Sequence, residues 1–357
     1  MAYPTNLPTY TDPTSTNPLS DPDLATQQAA QNADIIALAT KVGVDGSEEA
    51  TSLDYILKNT TGGHDHDGTN SKSISVGYPA EGRLTLESGV PISTSDQSAK
   101  TTLYYTPYTG NRIALYDGSK WTTLTFTELS LSLSGYTANK NYDIFVYNNS
   151  GAAALESLAW TDDTTRATSL VLQNGVYVKS GATTRRYIGT IRINATGGQT
   201  EDTFKQRFVY NAYNTVRRSF AAYNTTSSWT YTTASWREFN NGTGQTRGEV
   251  VIGLVDHLLC QVSHYFRAIN THATTSAYLS VTADSTNGTI QIAAYATVDS
   301  AISQLQSAGA IRLSSVGYHY FTGIEYGATT LTNYGSASLP SETGSTATGS
   351  IRIVATL

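Results

Sequence analysis

The pattern of apolar and polar positions changes period once along the chain. Between Leu24 and Val42 the seam Leu24, Gln28, Gln31, Ile35, Leu38, Val42 advances by steps of 4, 3, 4, 3 and 4. That is a heptad repeat with two glutamine layers, and it predicts a helix. Asp21-Pro22-Asp23 supplies the start, with an N-cap aspartate and proline at the first helical position; Gly43 supplies the stop. Two readings of the seam fit the period: packing on its own domain, or a short trimeric coiled coil with glutamine layers fixing the register. A second short helix is expected near Ser47 to Lys58.

From Ser71 the period becomes two. Arg83 to Glu87, Leu103 to Tyr105, Arg112 to Tyr116, Tyr142 to Tyr147, Val176 to Val178 and Arg186 to Ile193 read as strands. Asp117-Gly118-Ser119 before Trp121 to Phe126 signals a hairpin. Thr196 to Glu201 reads as a linker, and Thr203 to Arg218 as a short helix or an irregular crossing. About eight further strands follow, the last at Ile351 to Ala355. The predicted fold class is mainly β: short N-terminal helices followed by β-sandwich or jelly-roll-like modules. The expected organisation is an extended arm (1–20, with Pro4, Pro8, Pro13 and Pro18), a helical attachment region (21–70), β-rich middle modules (71–200) and a C-terminal β-sandwich (201–357).

Composition narrows the function. Only 14% of the 357 residues are charged, against a typical ~25%. Net charge is −6 and basic runs are absent, which argues against nucleic acid as a partner. No apolar run reaches the ~20 residues of a membrane helix. Met1 to Asn6 has neither a basic nor an apolar leader region, so no secretory signal is expected. Tyr (24) outnumbers Phe (8), which suits half-wet places such as shared interfaces and open grooves.

Candidate chemistry begins at Gly62-Gly63-His64-Asp65-His66-Asp67-Gly68. In extended chain His64 and His66 face one side, so three chains on a threefold axis would offer six nitrogens to one transition-metal ion. A solvated polar turn fits the same residues; calcium on Asp65, Asp67 and Asn70 fits less well, since Val76 stands where a closing glutamate belongs. His257, Cys260 and His264 would share a helix face at a zinc-like spacing, but the segment reads as two paired strands with Cys260 a structural core residue. The acids Asp162/Asp163, Glu201/Asp202, Glu238 and Asp256 read as surface groups rather than a glycoside-cleaving pair. Trp229, Tyr231 and Trp236 in one hairpin-like stretch, and Tyr318, Tyr320, Tyr326 and Tyr334 in another, are aromatic groups that could stack on sugar rings. The binding candidates are Trp229, Trp236, Tyr318, Tyr320 and Tyr326; core packing is the competing reading of each.

The Pro/Thr-rich arm, the Ala/Gln helix Ala25 to Val42, the join Gly63 to Lys72 and the block Thr102 to Gly118 together resemble tailed-bacteriophage virion appendages of the tail-fibre type. The resemblance covers roughly the first two thirds. It implies a non-enzymatic homotrimer, located in the virion after assembly in the host cytoplasm. It further implies an N-terminus docked on other tail, neck or capsid proteins, and a C-terminal domain touching a host glycan or the next fibre protein. Several trimeric fibres bind iron through His-x-His from three chains, which implies iron at His64 and His66. The tandem His-x-His series of some fibres is missing here. The rival expectations are a capsid decoration or head fibre protein and a polysaccharide-degrading tailspike.

Overall fold

The computed structural model describes residues 22–42, 52–53, 77–242, 247–270, 277–286, 292–294, 303–327, 331–335 and 350–357. Contacts divide the chain into two units, 1–77 and 78–357. In the first, a helix runs from Pro22 to Val42, the bounds its capping residues and Gly43 predict. Lys41 in its last turn complements the helix dipole. Ile35, Leu38 and Val42 of the seam are 63%, 50% and 49% exposed, and Gln28 and Gln31 are exposed too. The arm (1–20) and the His64/His66 turn lie outside the described residues. So does the second expected helix, save Ser52 and Leu53.

The second unit is mainly β, as the period-two pattern predicts. Its first part holds a three-stranded sheet (Gly82–Thr85, Thr102–Pro107, Leu129–Ser132) and the expected hairpin (Arg112–Tyr116 with Trp121–Thr125). The Asp117 carboxylate closes that hairpin by accepting the Ser119 and Lys120 amides, each at 2.8 Å. A six-stranded middle sheet follows, built on Asn141–Asn149 and Ala182–Arg192. Leu84, Leu103, Ile113, Ile144, Ile188 and Ile191 form the core between these sheets.

Two larger sheets complete the unit. The eight-stranded long sheet centres on Gly317–Tyr326, which pairs with Arg247–Ile252, Trp236–Glu238 and Tyr278–Ala283. It also takes in Gln97–Lys100 and Thr200–Asp202, so one sheet draws strands from both sides of residue 200. The six-stranded C-terminal sheet centres on Leu259–Asn270, flanked by Ser303–Arg312 on one side and by Ser350–Thr356 and Leu331–Tyr334 on the other. The two sheets enclose a shared core. Val250, Ile252, Leu279, Val281 and Phe321 come from one sheet; Phe220, Val262, Phe266, Ile351 and Ile353 come from the other. Each such side chain contributes roughly 1.5–3 kcal/mol by leaving water.

Three local expectations change. Thr203 to Arg218 is the irregular crossing rather than a helix: its only regular pieces before Arg217 are the short strands Gln206–Arg207 and Val209–Asn211. Arg247–Ile252 and Leu259–Asn270 do not pair with each other. They belong to opposite sheets, joined by the 3₁₀ turn Val255–His257. Ser228–Tyr231 and Trp236–Glu238 likewise cross from one sheet to the other instead of forming a hairpin. Apolar residues that alternate on each strand fill one face only, and that suits facing sheets as well as it suits a hairpin.

One buried carboxylate ties the sandwich together. Glu325, fully buried on the inward side of Gly317–Tyr326, accepts Arg237 Nε (2.8 Å) and the Asn240 amide (3.2 Å) on Oε1. Its Oε2 accepts Trp229 Nε1 (2.7 Å) and Asn333 Nδ2 (2.5 Å) from the other sheet. Burial pushes the carboxyl above its usual range, and these donors pull it back. Glu325→Gln turns an acceptor into a donor facing donors and strips Arg237 of its counter-charge. The expected loss is about 3 kcal/mol of unfolding free energy by denaturant titration. Glu81→Gln, which breaks the exposed Arg112 pair (2.6 Å), is expected to leave the midpoint nearly unchanged.

Candidate functional site

Strand parity places the aromatic candidates. Phe321 and Glu325 face the core, so Tyr318, Tyr320, Thr322, Ile324 and Tyr326 lie on the outer face of the long sheet. Register brings Trp236 and Tyr278 opposite Tyr326, Arg247 opposite Thr322, and Glu249 opposite Tyr320. Four of the five aromatic candidates (Trp236, Tyr318, Tyr320, Tyr326) thus share one face.

At one end Trp236, Tyr278 and Tyr326 form a trio, with ring centroids 5.5 Å (Trp236–Tyr326), 5.7 Å (Tyr278–Tyr326) and 6.3 Å (Trp236–Tyr278) apart. The rings are tilted and half-buried. In the centre Arg247 lies 4.2 Å above the Tyr320 ring and holds Glu238 by two bonds of 3.0 and 2.9 Å. That carboxylate also accepts the Thr322 hydroxyl at 3.0 Å, and its bonds raise the Arg247 pKa. At the far end Tyr318 donates its hydroxyl to Glu249, while Arg192 sits 3.7 Å over its ring. Arg192 is itself held by Asp163 at 2.7 Å and Asn141 at 3.0 Å. Burial, reinforced by the Glu249 charge, drives the Tyr318 phenol far above its ordinary pKa. The face is therefore a preorganised lattice of rings, guanidinium groups and carboxylates. At its centre the Glu238 carboxylate is buried and bound to Arg247 and Thr322, and Thr322 and Ile324 are closed off from solvent, so the half-buried rings of Trp236, Tyr278, Tyr320 and Tyr326 are what the face presents.

Trp229 is a correction. It is 8% exposed, packs on Phe239 at 5.8 Å and donates its N–H to Glu325, so its ring belongs to the core and no ligand reaches it. His64 and His66 lie outside the described residues. Among the described residues no three His, Cys, Asp or Glu side chains form a metal-sized group. His257 accepts or donates at Tyr210 (2.6 Å) from its turn, while Cys260 and His264 point into the sandwich. Burial pushes the Cys260 thiol up to about 12, which suits a core residue and not a nucleophile.

Of the acids read from sequence as surface groups, Asp256 is exposed, whereas Glu201 and Glu238 are buried; the others and these two are held by named partners. Asp162 caps its own turn through the Thr164 and Thr165 amides at 2.9 and 2.7 Å, and those bonds lower its pKa. Asp163 pairs with Arg192, Asp202 with Arg207 at 3.0 Å, and Glu201 accepts Asn194 at 2.6 Å. Sequence reasoning missed Arg192, Arg247, Glu249 and Tyr278. The alternations Arg247-x-Glu249 and Tyr318-x-Tyr320 announce one face each. Only the strand pairing shows that the faces coincide.

No family model and no curated protein matches the chain. Among solved structures, the dimeric latent PorU of Porphyromonas gingivalis is similar at 9% identity and a TM-score of 0.28, over 63% of this chain and 20% of that one. A variant of BuGH86 in complex with neoagarooctaose is similar at 9% identity and a TM-score of 0.20, over 73% of this chain and 34% of the other. The chain spans only a fifth and a third of these two, and neither likeness assigns a function.

His264 generates a pH prediction. It is 1% exposed, stacks on Phe266 at 4.5 Å, and neither ring nitrogen has a hydrogen-bond partner. Burial lowers its pKa from 6.5 to about 4. The neutral ring is the folded form, so its contribution is complete above pH 6.5 and is lost as pH falls towards 4, at up to about 1.4 kcal/mol per unit. Melting curves between pH 7 and 4 are expected to fall with that slope. His264→Leu is expected to flatten this part of the profile.

Proposed function

We propose that the chain is a non-enzymatic, homotrimeric structural protein of a tailed-phage virion, a tail fibre or a neck or tail appendage. Its N-terminal region docks on the particle and its C-terminal sandwich makes the outer contact. The observation that supports this best is the Pro22–Val42 helix, whose seam residues Gln28, Gln31, Ile35, Leu38 and Val42 are exposed in the single chain. Packing of the seam on its own domain is the competing reading; exposed apolar positions at heptad spacing support association between copies. Helices in proteins draw most of their stability from packing an apolar face, and a heptad seam finds such a partner in further copies of itself. Glutamine layers would set the register between the copies. The lattice of the long sheet, rich in stacked rings and matched charges, suits a contact with the next fibre protein or a host glycan.

Size-exclusion chromatography with light scattering is expected to give about 115 kDa, three times the 38.3 kDa chain. Ile35→Asp with Leu38→Asp is expected to yield monomers with an intact β-unit melting transition. A folded wild-type monomer sinks the reading. Iron at His64 and His66 belongs to the same proposal. Elemental analysis is expected to find about one ion per trimer in wild type and none in His64→Ala/His66→Ala; equal, near-zero metal in both removes it.

A further inference from the structure

The two sheets of the sandwich differ in charge. The long sheet's strands carry Glu201, Asp202, Glu238, Glu249 and Glu325, nearly balanced by Lys100, Arg207, Arg237 and Arg247. The C-terminal sheet's strands carry Arg217, Arg218, Arg267, Arg312 and Arg352 and not one Asp or Glu. Register places four of these arginines on the outer face. Cys260, Val262 and Phe266 point inward, so Leu259, Gln261, Ser263, Tyr265 and Arg267 point outward. Leu259 stands opposite Arg312, and Ser263 opposite Arg352. Gln261 stands opposite Val354, which stands opposite Ser219, two residues from Arg217.

The face is open to solvent. Leu259 is 55% exposed; Arg217, Gln261, Gln306, Ala308, Ala310 and Arg312 are exposed; Arg267 and Arg352 are half-buried. Arg217 donates to Gln261, and Arg267 lies 4.9 Å over the Tyr334 ring. Extending the register puts Arg217 and Arg312 in one row, roughly 14 Å apart across three strand spacings. Arg352 follows four residues further along and Arg267 four beyond that, so the cationic track runs about 27 Å. Between the guanidinium groups lie amides, hydroxyls and a phenol ring together with the apolar Leu259, Val354, Ala308 and Ala310, with no lysine.

We infer that this outer face binds an acidic polysaccharide. Widely spaced arginines separated by neutral groups, hydrogen-bonding and apolar, match a chain with carboxylates on some rings, hydroxyls on all and the apolar C–H faces of sugars between them. A plate of guanidinium over tyrosine offers a surface for a sugar ring. Nucleic acid fits less well: its charge is far denser, and the chain as a whole carries −6. The inference rests on the virion reading only in taking this glycan to be the host's. It leaves the outer face of the long sheet to a protein partner.

The experiment immobilises sodium alginate, dextran and single-stranded DNA and measures binding of the intact chain at rising salt. Alginate is expected to bind and to be released by salt, with dextran silent and DNA weaker. Arg217→Glu/Arg312→Glu is expected to weaken alginate binding at least tenfold with an unchanged melting transition; Arg217→Gln/Arg312→Gln serves if that variant fails to fold. Three results overturn the inference: no alginate binding by wild type, equal binding by the folded variant, or DNA binding as tight as alginate. A monomer that binds alginate would overturn the trimer and leave this face standing.

Discussion

The sandwich depends on a carboxylate that has no access to water. Glu325 gathers Trp229 and Asn333 from one sheet, Arg237 from the other, and the amide of Asn240 from the turn that follows Trp236–Glu238. A buried acid is costly unless its lone pairs are filled, so the sheets must approach in the one alignment that fills them. The same contact fixes parity. Were Gly317–Tyr326 to slip by one residue, Glu325 would turn outward and the Tyr318, Tyr320 and Tyr326 rings would turn inward. The outer lattice of rings is thus a consequence of the inner clamp.

The clamp also separates the charges of the two faces. Acids on the long sheet meet guanidinium groups: Glu238 with Arg247, Glu325 with Arg237. These pairs are partly or wholly desolvated, so they hold geometry better than exposed pairs do. The C-terminal sheet has arginines without acids on its strands, and its outward side chains bond instead to neutral groups such as Gln261 and Ser219. A weakly charged protein therefore keeps one local field of a single sign.

Much of the fold was legible because period is a local property. The helix bounds, the Asp117 hairpin and the β class follow from spacing, from Pro22 and Gly43, and from Gly118 with its positive φ of 107°. Pairing was not legible. Trp229 and Trp236 sit seven residues apart and look like one hairpin, yet their strands lie in opposite sheets, one ring inward and one outward. The sequence holds no sign that Glu325, 96 residues from Trp229, is its partner. Ile351 to Ala355 is last in the chain but lies inside its sheet, between Arg217–Tyr223 and Leu259–Asn270. Non-local contacts decide all three.

The two units have different needs. The β unit encloses cores of its own and satisfies its buried acids Asp143, Glu238 and Glu325 with partners in the same chain. Among the described residues the helix contributes to no core, and Ile35, Leu38 and Val42 of its seam are exposed. On the proposed trimer, self-association would fall to the helix and leave the sandwich free to specialise its surfaces. Exposed arginines bind weakly one at a time, since each contact in water is worth little. Three copies joined through their helices would turn each later contact into an intramolecular one, and linked sites can gain about 10²–10⁴ in avidity without any new contact. A sparse cationic face is a poor receptor-binding surface on a monomer and an adequate one on a trimer.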